Sequence, residues 1–375
     1  MKTIHKLLFG NARNMNEIKN NSIDLIVTSP PYPMIEMWDE IFSRQNLEIG
    51  RALKGENGET AFELMNKELD KVWGEAYRVL SSGGFACINI GDAARTLGGE
   101  FKIYPSHVRV LQSCRKLGFS SLPEIIWRKQ TNAPNKFMGS GMLPAGAYVT
   151  LEHEFILILR KGNKKEFIDE EDKERRRESA FFWEERNMWF SDVWEGLKGT
   201  KQNSIDEEIR ERSGAFPFEL PYRLINMFSL RNDTVLDPFL GTGTTTLAAM
   251  ATGRNSVGIE IDKKLKETLF ERLGNIVDFS NKIIENRILN HLNFVKERTK
   301  AKGKLGYKST TYGFPVMTSQ ETEIAFDEPT KIVKKESEIE VEYRKKLLFS
   351  LREFQQKLIN ELENHKRARQ LSAEQ

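Results

Sequence analysis

The chain is poor in several things, and each scarcity narrows its role. Two cysteines, Cys87 and Cys114, occur in 375 residues. They allow at most one disulfide, form no zinc spacing, and suit a reducing cytoplasm. Histidine is scarce too, with five residues, and Leu151-Glu152-His153-Glu154-Phe155 lacks the second histidine of a metal-binding helix. His153 therefore reads as structural, and no metal is expected. No apolar run approaches membrane-spanning length, and Met1–Gly10 is too short in apolar residues for a signal peptide. Neither charge dominates: Lys+Arg 57 against Asp+Glu 54 leaves +3. Bulk charge does not announce a polyanion partner, although a local basic face would suffice for one. The chain shows no internal repeat.

What is present is organised around Val235-Leu236-Asp237-Pro238-Phe239-Leu240-Gly241-Thr242-Gly243-Thr244-Thr245. An apolar pair runs into an acid, a Gly-rich turn and a helix start. Gly241 and Gly243 let backbone approach a ligand closely. The following helix offers free N–H groups at its start. Next comes an apolar strand, Val257 to Ile261, with Glu260 near its end. An acid there accepts both hydroxyls of a ribose in nucleotide-binding α/β folds. The loop is not a P-loop, because Thr244 follows Gly243 where Walker A needs Lys. Taken alone, it is equally a tight strand-to-helix connection.

A second stretch lies far upstream: Asp24-Leu25-Ile26-Val27-Thr28-Ser29-Pro30-Pro31-Tyr32. Pro30 and Pro31 stiffen the backbone and remove two N–H donors. The carbonyls of Ser29 and Pro30 become bare acceptors, with the Tyr32 ring beside them. That combination suits an amino group on a flat ring. The alternative is a Pro-rich turn with Tyr32 as a lid on the core.

Together the two stretches resemble the amino-group DNA methyltransferases that use S-adenosylmethionine. "TSPPY" is similar to their catalytic motif and "LDPFLGTGTT" to their cofactor motif. The catalytic motif comes first, which resembles the β-group order. The likeness covers roughly residues 4–270. It implies a Rossmann-like α/β methyltransferase fold with permuted motif order. Residues 1–161 would form the catalytic half and 213–289 the cofactor-binding half. A target-recognition region at 162–212 and a helical C-terminal extension at 290–375 complete the expected organisation.

The resemblance also assigns roles. Ser29, Pro30, Pro31 and Tyr32 are the expected catalytic residues. Asp237, Pro238, Phe239, Gly241, Gly243, Thr244, Thr245 and Glu260 are expected to bind S-adenosylmethionine. Phe216 and Pro217 match a segment at the methionine end. Asn11 follows the first strand where the family commonly has an acid near the adenine. Trp127 and Lys129 would flank the base pocket, or Trp127 would be core. Asp92 reads rather as a cap on the following turn.

Elsewhere the pattern is local. Ala61–Leu80 has helical apolar spacing, and Phe85–Ile90 reads as a buried strand. After Tyr32, a polar stretch with Met34, Met37 and Trp38 reads either as a loop over the substrate or as an amphipathic helix. Residues 163–179 are almost wholly charged, with Arg175, Arg176 and Arg177 in series, and Phe181, Phe182, Trp183, Trp189, Phe190 and Trp194 follow. Cations suit phosphates and planar groups suit bases. Trp38, Lys136 and the three arginines are thus the expected DNA contacts. In the tail, Glu338 to Arg369 reads as one long helix with Leu347, Leu351 and Leu358 on a stripe.

The expected reaction is methylation of cytosine N4 in double-stranded DNA, Ser29 donating to cytosine N3. Adenine N6, RNA or protein amide groups are alternative acceptors, and a degenerate non-enzymatic DNA-binding protein is the other rival. The expected setting is cytoplasmic, without membrane attachment. It leaves room for a cognate restriction endonuclease and for a homodimer. The recognition sequence is not written in these residues.

Overall fold

The structure is a computed structural model that describes residues 1–129, 138–197 and 216–346. Lys136 and the leucine stripe from Leu347 onward lie outside the described residues. The main path of the sheet is formed by β1 Lys2–Phe9, β2 Ile23–Thr28, β3 Leu80–Ile90, β4 Ile125–Arg128, β5 His153–Lys161, β6 Val193–Trp194, β7 Thr234–Asp237, β8 Asn255–Glu260, β9 Asp327–Lys334 and β10 Glu338–Lys345, and a short strand, Phe119–Ser121, also pairs with β5. Their order across the sheet is β6-β4-β5-β3-β2-β7-β8-β1-β10-β9. From β3 through β2, β7 and β8 to β1 the strands are parallel. β2 is a largely aliphatic, buried run because helices cover both faces there, whereas β1 alternates exposed and buried residues.

The period of two sorts the side chains. Ile26, Ala86, Ile88 and Leu236 pack with α1 (Gly58–Val79) and α2 (Ser106–Leu117), through Met65, Leu69, Trp73 and Val110. Leu25, Val27, Cys87 and Val235 face the other way, toward α5 (Glu219–Phe228) and α6 (Thr244–Ala251). Between α2 and α5 lie α3 (Glu170–Glu178) and α4 (Trp183–Trp189), and after α6 come α7 (Lys266–Leu273) and α8 (Ile276–Lys302). Cys87 and Cys114 are buried and free. Among the described residues, no helix is long and apolar enough to cross a membrane.

Two expectations need correction and one open choice is decided. Glu338–Lys345 is a strand, β10, antiparallel to β1. Ile339, Val341 and Tyr343 point inward while Glu338, Glu340 and Glu342 are more exposed. That alternation has the period of a strand. The extension is therefore not simply helical: β9 and β10 widen the sheet, and the 289/290 boundary falls inside α8. Second, the segment after Tyr32, read either as a loop or as an amphipathic helix, takes the helical form. It holds helices at Asp39–Gln45 and Leu47–Lys54. Third, the aromatics of 181–194 are largely core. Phe182, Trp189 and Trp194 are buried, and Phe182 stacks on His291 of α8 at 3.8 Å. Trp183 and Phe190 remain partly exposed.

Candidate active site

The two motifs meet at the carboxyl ends of neighbouring parallel strands. β2 delivers Ser29–Tyr32 and β7 delivers the Gly-rich loop, in register from Leu25↔Val235 to Ile26↔Leu236. The helix after β2 covers one face of the sheet and the helix after β7 covers the other. This is a switch point, where open α/β sheets bind ligands. The junction is clasped by side chains. Thr28 Oγ1 donates to Asp237 Oδ1 at 2.7 Å, and Thr245 Oγ1 donates to the Val27 carbonyl at 3.3 Å. Asp237 Oδ1 also accepts the Phe239 N–H at 3.0 Å. Burial pushes the Asp237 carboxyl above its ordinary range, and these donors pull it back. Asp237 and Thr245, expected at the cofactor, are thus buried residues that shape the loop.

On the cofactor side, Glu260 ends β8. Its Oε2 accepts the Gly241 N–H at 2.8 Å and its Oε1 the Asp262 N–H at 2.8 Å. Burial raises its pKa, and the two backbone donors oppose that rise. Each oxygen keeps a further lone pair, so the carboxylate still has capacity for ribose hydroxyls. Gly243 has φ +79°, and a Cβ there would lie 2.7 Å from Leu269 Cδ2. Any larger residue there would be strained in its backbone and would have to push Leu269 aside. Phe239 packs edge-on to Trp73 at 6.1 Å. Asn11 follows β1 beside Glu260, since the Gly10 N–H bonds the Glu260 carbonyl at 2.9 Å. Its Oδ1 is occupied by the Arg13 backbone N–H and Nε, leaving the amide nitrogen for a ligand. Phe216 and Pro217 are buried just before α5. These residues fit a nucleoside-bearing cofactor.

On the catalytic side, Tyr32 is tied into a network. Its Oη accepts from Ser29 Oγ at 3.0 Å and from Asn89 Nδ2 at 2.7 Å, and donates to Glu154 Oε2 at 2.9 Å. Asn89 Nδ2 also reaches Glu154 Oε2 at 2.7 Å, and Lys129 Nζ pairs with Glu154 Oε1 at 2.7 Å. Burial and the neighbouring Glu154 charge push the Tyr32 phenol well above its ordinary range. The Ser29 hydroxyl donates to Tyr32, so donation to cytosine N3 would require that hydrogen to turn away from the tyrosine.

Asn89 and Glu154 were missed by sequence reasoning. The available signal was a polar residue inside each of two otherwise apolar strands, "FACINI" and "HEFILIL". Trp127 is buried in the core rather than lining a base pocket. Trp38 is half-buried in a short turn, and the next residue, Asp39, is gripped by both terminal nitrogens of Arg95 at 2.8 and 2.7 Å. Asp92 accepts the His107 N–H at 3.1 Å in the first turn of α2, a capping role. His153 rests edge-on against Phe155.

The arginine run is not brought to this end of the sheet. Arg175 pairs with Asp172 at 2.7 Å and with Asp233 at 3.1 Å, immediately before β7 begins. Arg177 bonds Glu323 and Glu170, each at 2.9 Å, and Arg176 lies 4.6 Å over Phe167. α3 therefore sits by the amino ends of the parallel strands, opposite Ser29 and Gly241. Its charges were legible in the sequence, and two of the acids that answer them, Asp172 and Glu170, lie in the same helix, but Asp233 and Glu323 come from distant segments. Among the described residues, no group of His, Cys, Asp and Glu is arranged to hold a metal.

A doubly wound sheet with these two motifs side by side defines a methyltransferase-type site. A family model described as DNA methylase matches residues 23–271. The type II methyltransferase M.MthZI of Methanothermobacter thermautotrophicus is 50% identical over 346 residues, covering 92% of this chain and 96% of that protein. M.MjaI of Methanocaldococcus jannaschii is 50% identical over 283 residues, covering 72% of this chain and 92% of the relative. A DNA modification methylase of Thermus thermophilus, TTHA0409, solved with S-adenosyl-L-methionine, has 33% identity and a TM-score of 0.56. That alignment covers 73% of this chain and 96% of that one. The chain belongs to this DNA methylase family.

Proposed function

We propose that the protein methylates the exocyclic N4 of cytosine in duplex DNA, at a specific sequence, as the modifying partner of a restriction endonuclease. S-adenosylmethionine supplies an electrophilic methyl group. The chain's own residues bind, orient and exclude water. Glu260 and the Gly241–Gly243 turn would hold the nucleoside part, with Asn11 at the base and Phe216–Pro217 toward the methionine.

The target base has to leave the helix to reach such a site. Tyr32 offers a stacking face whose hydroxyl is anchored behind it by Glu154. The Ser29 and Pro30 carbonyls accept the amino hydrogens and so turn the nitrogen lone pair toward the methyl group. The observation that carries the reading is Ser29 at the head of the Pro-Pro-Tyr turn, clasped through Thr28 to the cofactor loop. The serine supports cytosine over adenine. It sets a neutral, short hydroxyl where adenine-methylating relatives of the resembled family usually carry Asp or Asn. Buried Cys87 and Cys114 are not suited to covalent catalysis.

Incubation with S-adenosylmethionine carrying a labelled methyl group tests the substrate class, using duplex DNA, RNA and protein in parallel. Label is expected in duplex DNA alone. Label in RNA or protein instead would reject the reading.

A further inference from the structure

We propose that Glu154 is the terminal proton acceptor of a relay running from the target amino group through Ser29 Oγ and Tyr32 Oη. The inference rests on reading Ser29–Tyr32 as the catalytic turn. It adds a route for the proton that methylation makes surplus.

The chemistry requires such a route. As the N–CH3 bond forms, the S–CH3 bond breaks and its electron pair stays on sulfur. The nitrogen then carries a positive charge and one hydrogen too many. That hydrogen, held until then by the Ser29 carbonyl, passes to Oγ of the same residue while the serine hydrogen passes to Tyr32 Oη. The tyrosine hydrogen passes to Glu154, which ends as a neutral acid. Each oxygen in the chain gains one hydrogen and gives one up, except the last.

The geometry is already assembled. The hops span 3.0 Å from Ser29 Oγ to Tyr32 Oη and 2.9 Å from Tyr32 Oη to Glu154 Oε2. Tyr32 Oη also accepts from Asn89, so its single hydrogen is directed to Glu154. Asn89 Nδ2 touches both Tyr32 Oη and Glu154 Oε2 at 2.7 Å, which fixes their spacing. A Cβ at Gly91 would lie 3.0 Å from the Tyr32 ring and 3.3 Å from Glu154 Cγ, so glycine keeps room for the pair.

A buried carboxylate in an apolar strand is costly unless it is partnered. Lys129, half-exposed at the edge of the site, supplies the partner and a path to water. The groups facing Glu154 are Tyr32 from the loop after β2, Asn89 on β3 and Lys129 beyond β4. Arg128 lies on the other face of β4, paired with Glu152 and Glu195. The raised phenol keeps Tyr32 protonated at rest. It therefore carries a proton only by giving one up in the same event.

Glu154 acts through Tyr32 and is a positioning residue in that sense, so the test needs a readout beyond rate. Single-turnover methylation would be followed against pH for wild type, Glu154→Gln, Glu154→Asp, Lys129→Met and Ser29→Ala. A fluorescent base analogue beside the target would report base extrusion. The relay predicts that Glu154→Gln loses about a hundredfold in rate, as for loss of a proton acceptor. Extrusion and DNA affinity should stay near wild type, and the acid limb of the profile should vanish. Glu154→Asp should keep the limb. Lys129→Met, which needs no change in the core, should move the limb to higher pH.

A wild-type acid limb in Glu154→Gln, or an unmoved limb in Lys129→Met, overturns the relay. Full activity in Ser29→Ala would instead overturn the catalytic-turn reading itself. An impaired Ser29→Ala beside an unaltered Glu154→Gln profile removes the relay alone.

Discussion

Thr28 and Asp237, 209 residues apart, are joined by a 2.7 Å hydrogen bond between neighbouring strands. This bond fastens the catalytic turn to the cofactor loop. Thr28→Val keeps the shape and removes the donor, leaving a buried carboxylate short of one partner. We expect a stability loss of about 1–3 kcal/mol and a larger fall in turnover than in cofactor affinity. Denaturant unfolding with single-turnover kinetics checks this, and a variant as stable and as fast as wild type would contradict it.

Glu260 has two duties, toward the loop and toward the ligand. Glu260→Ala removes the acceptor for Gly241 and Asp262 N–H groups as well as the contact to ribose. S-adenosylmethionine binding should weaken by roughly 1–3 kcal/mol, as for loss of a charge-assisted bond. Cofactor-free DNA binding should change little. Calorimetry showing unaltered cofactor affinity would refute the assignment.

Arg175, Arg176 and Arg177 should behave as structural residues. Arg175→Ala removes the arginine paired with Asp233 and should cost about 1–3 kcal/mol, less than for a fully buried pair because Arg175 is partly exposed. Arg176→Ala and Arg177→Ala should each cost less, because water and salt screen contacts at the surface. The salt dependence of duplex binding should be that of wild type in all three. A flattened slope would return the run to the DNA interface.

These outcomes bear on what the sequence could reveal. The two motifs were legible because their chemistry is local: prolines strip donors and glycines admit a ligand within a few residues. The parallel core was legible because buried strands are continuous aliphatic runs. Glu154 and Asn89 were not, because their meaning depends on β3 and β5 being neighbours, which nothing near either residue encodes. The ion pairs of the arginine run to Asp233 and Glu323 were hidden for the same reason, since both acids lie far along the chain. Glu338–Lys345 was overrun by the stronger leucine stripe beyond it, although Ile339, Val341 and Tyr343 alternate as a strand does.

His5 gives the fold a pH dependence. It is buried between Thr3 and Ser256, and burial lowers its pKa to about 3. The unfolded chain takes up this proton near pH 6.5, and the folded chain does not until about 3. Stability from this group is therefore full above the unfolded value and is lost as pH falls between them. The expected slope is on the order of 1 kcal/mol per pH unit in that window. His5→Asn should flatten it in unfolding measured from about pH 6 to about pH 4, within the span between the two states' values. An equal slope in both proteins would show that His5 does not titrate this way.

The central claim is the atom that receives the methyl group. Duplex DNA methylated by the purified protein, digested to nucleosides and analysed by mass spectrometry, identifies it directly. The account predicts N4-methylcytosine as the sole modified nucleoside, lost in Ser29→Ala and retained at wild-type yield in Arg176→Ala. N6-methyladenine as the product would contradict the role given to Ser29, while leaving the cofactor loop and the Tyr32–Glu154 pair in place.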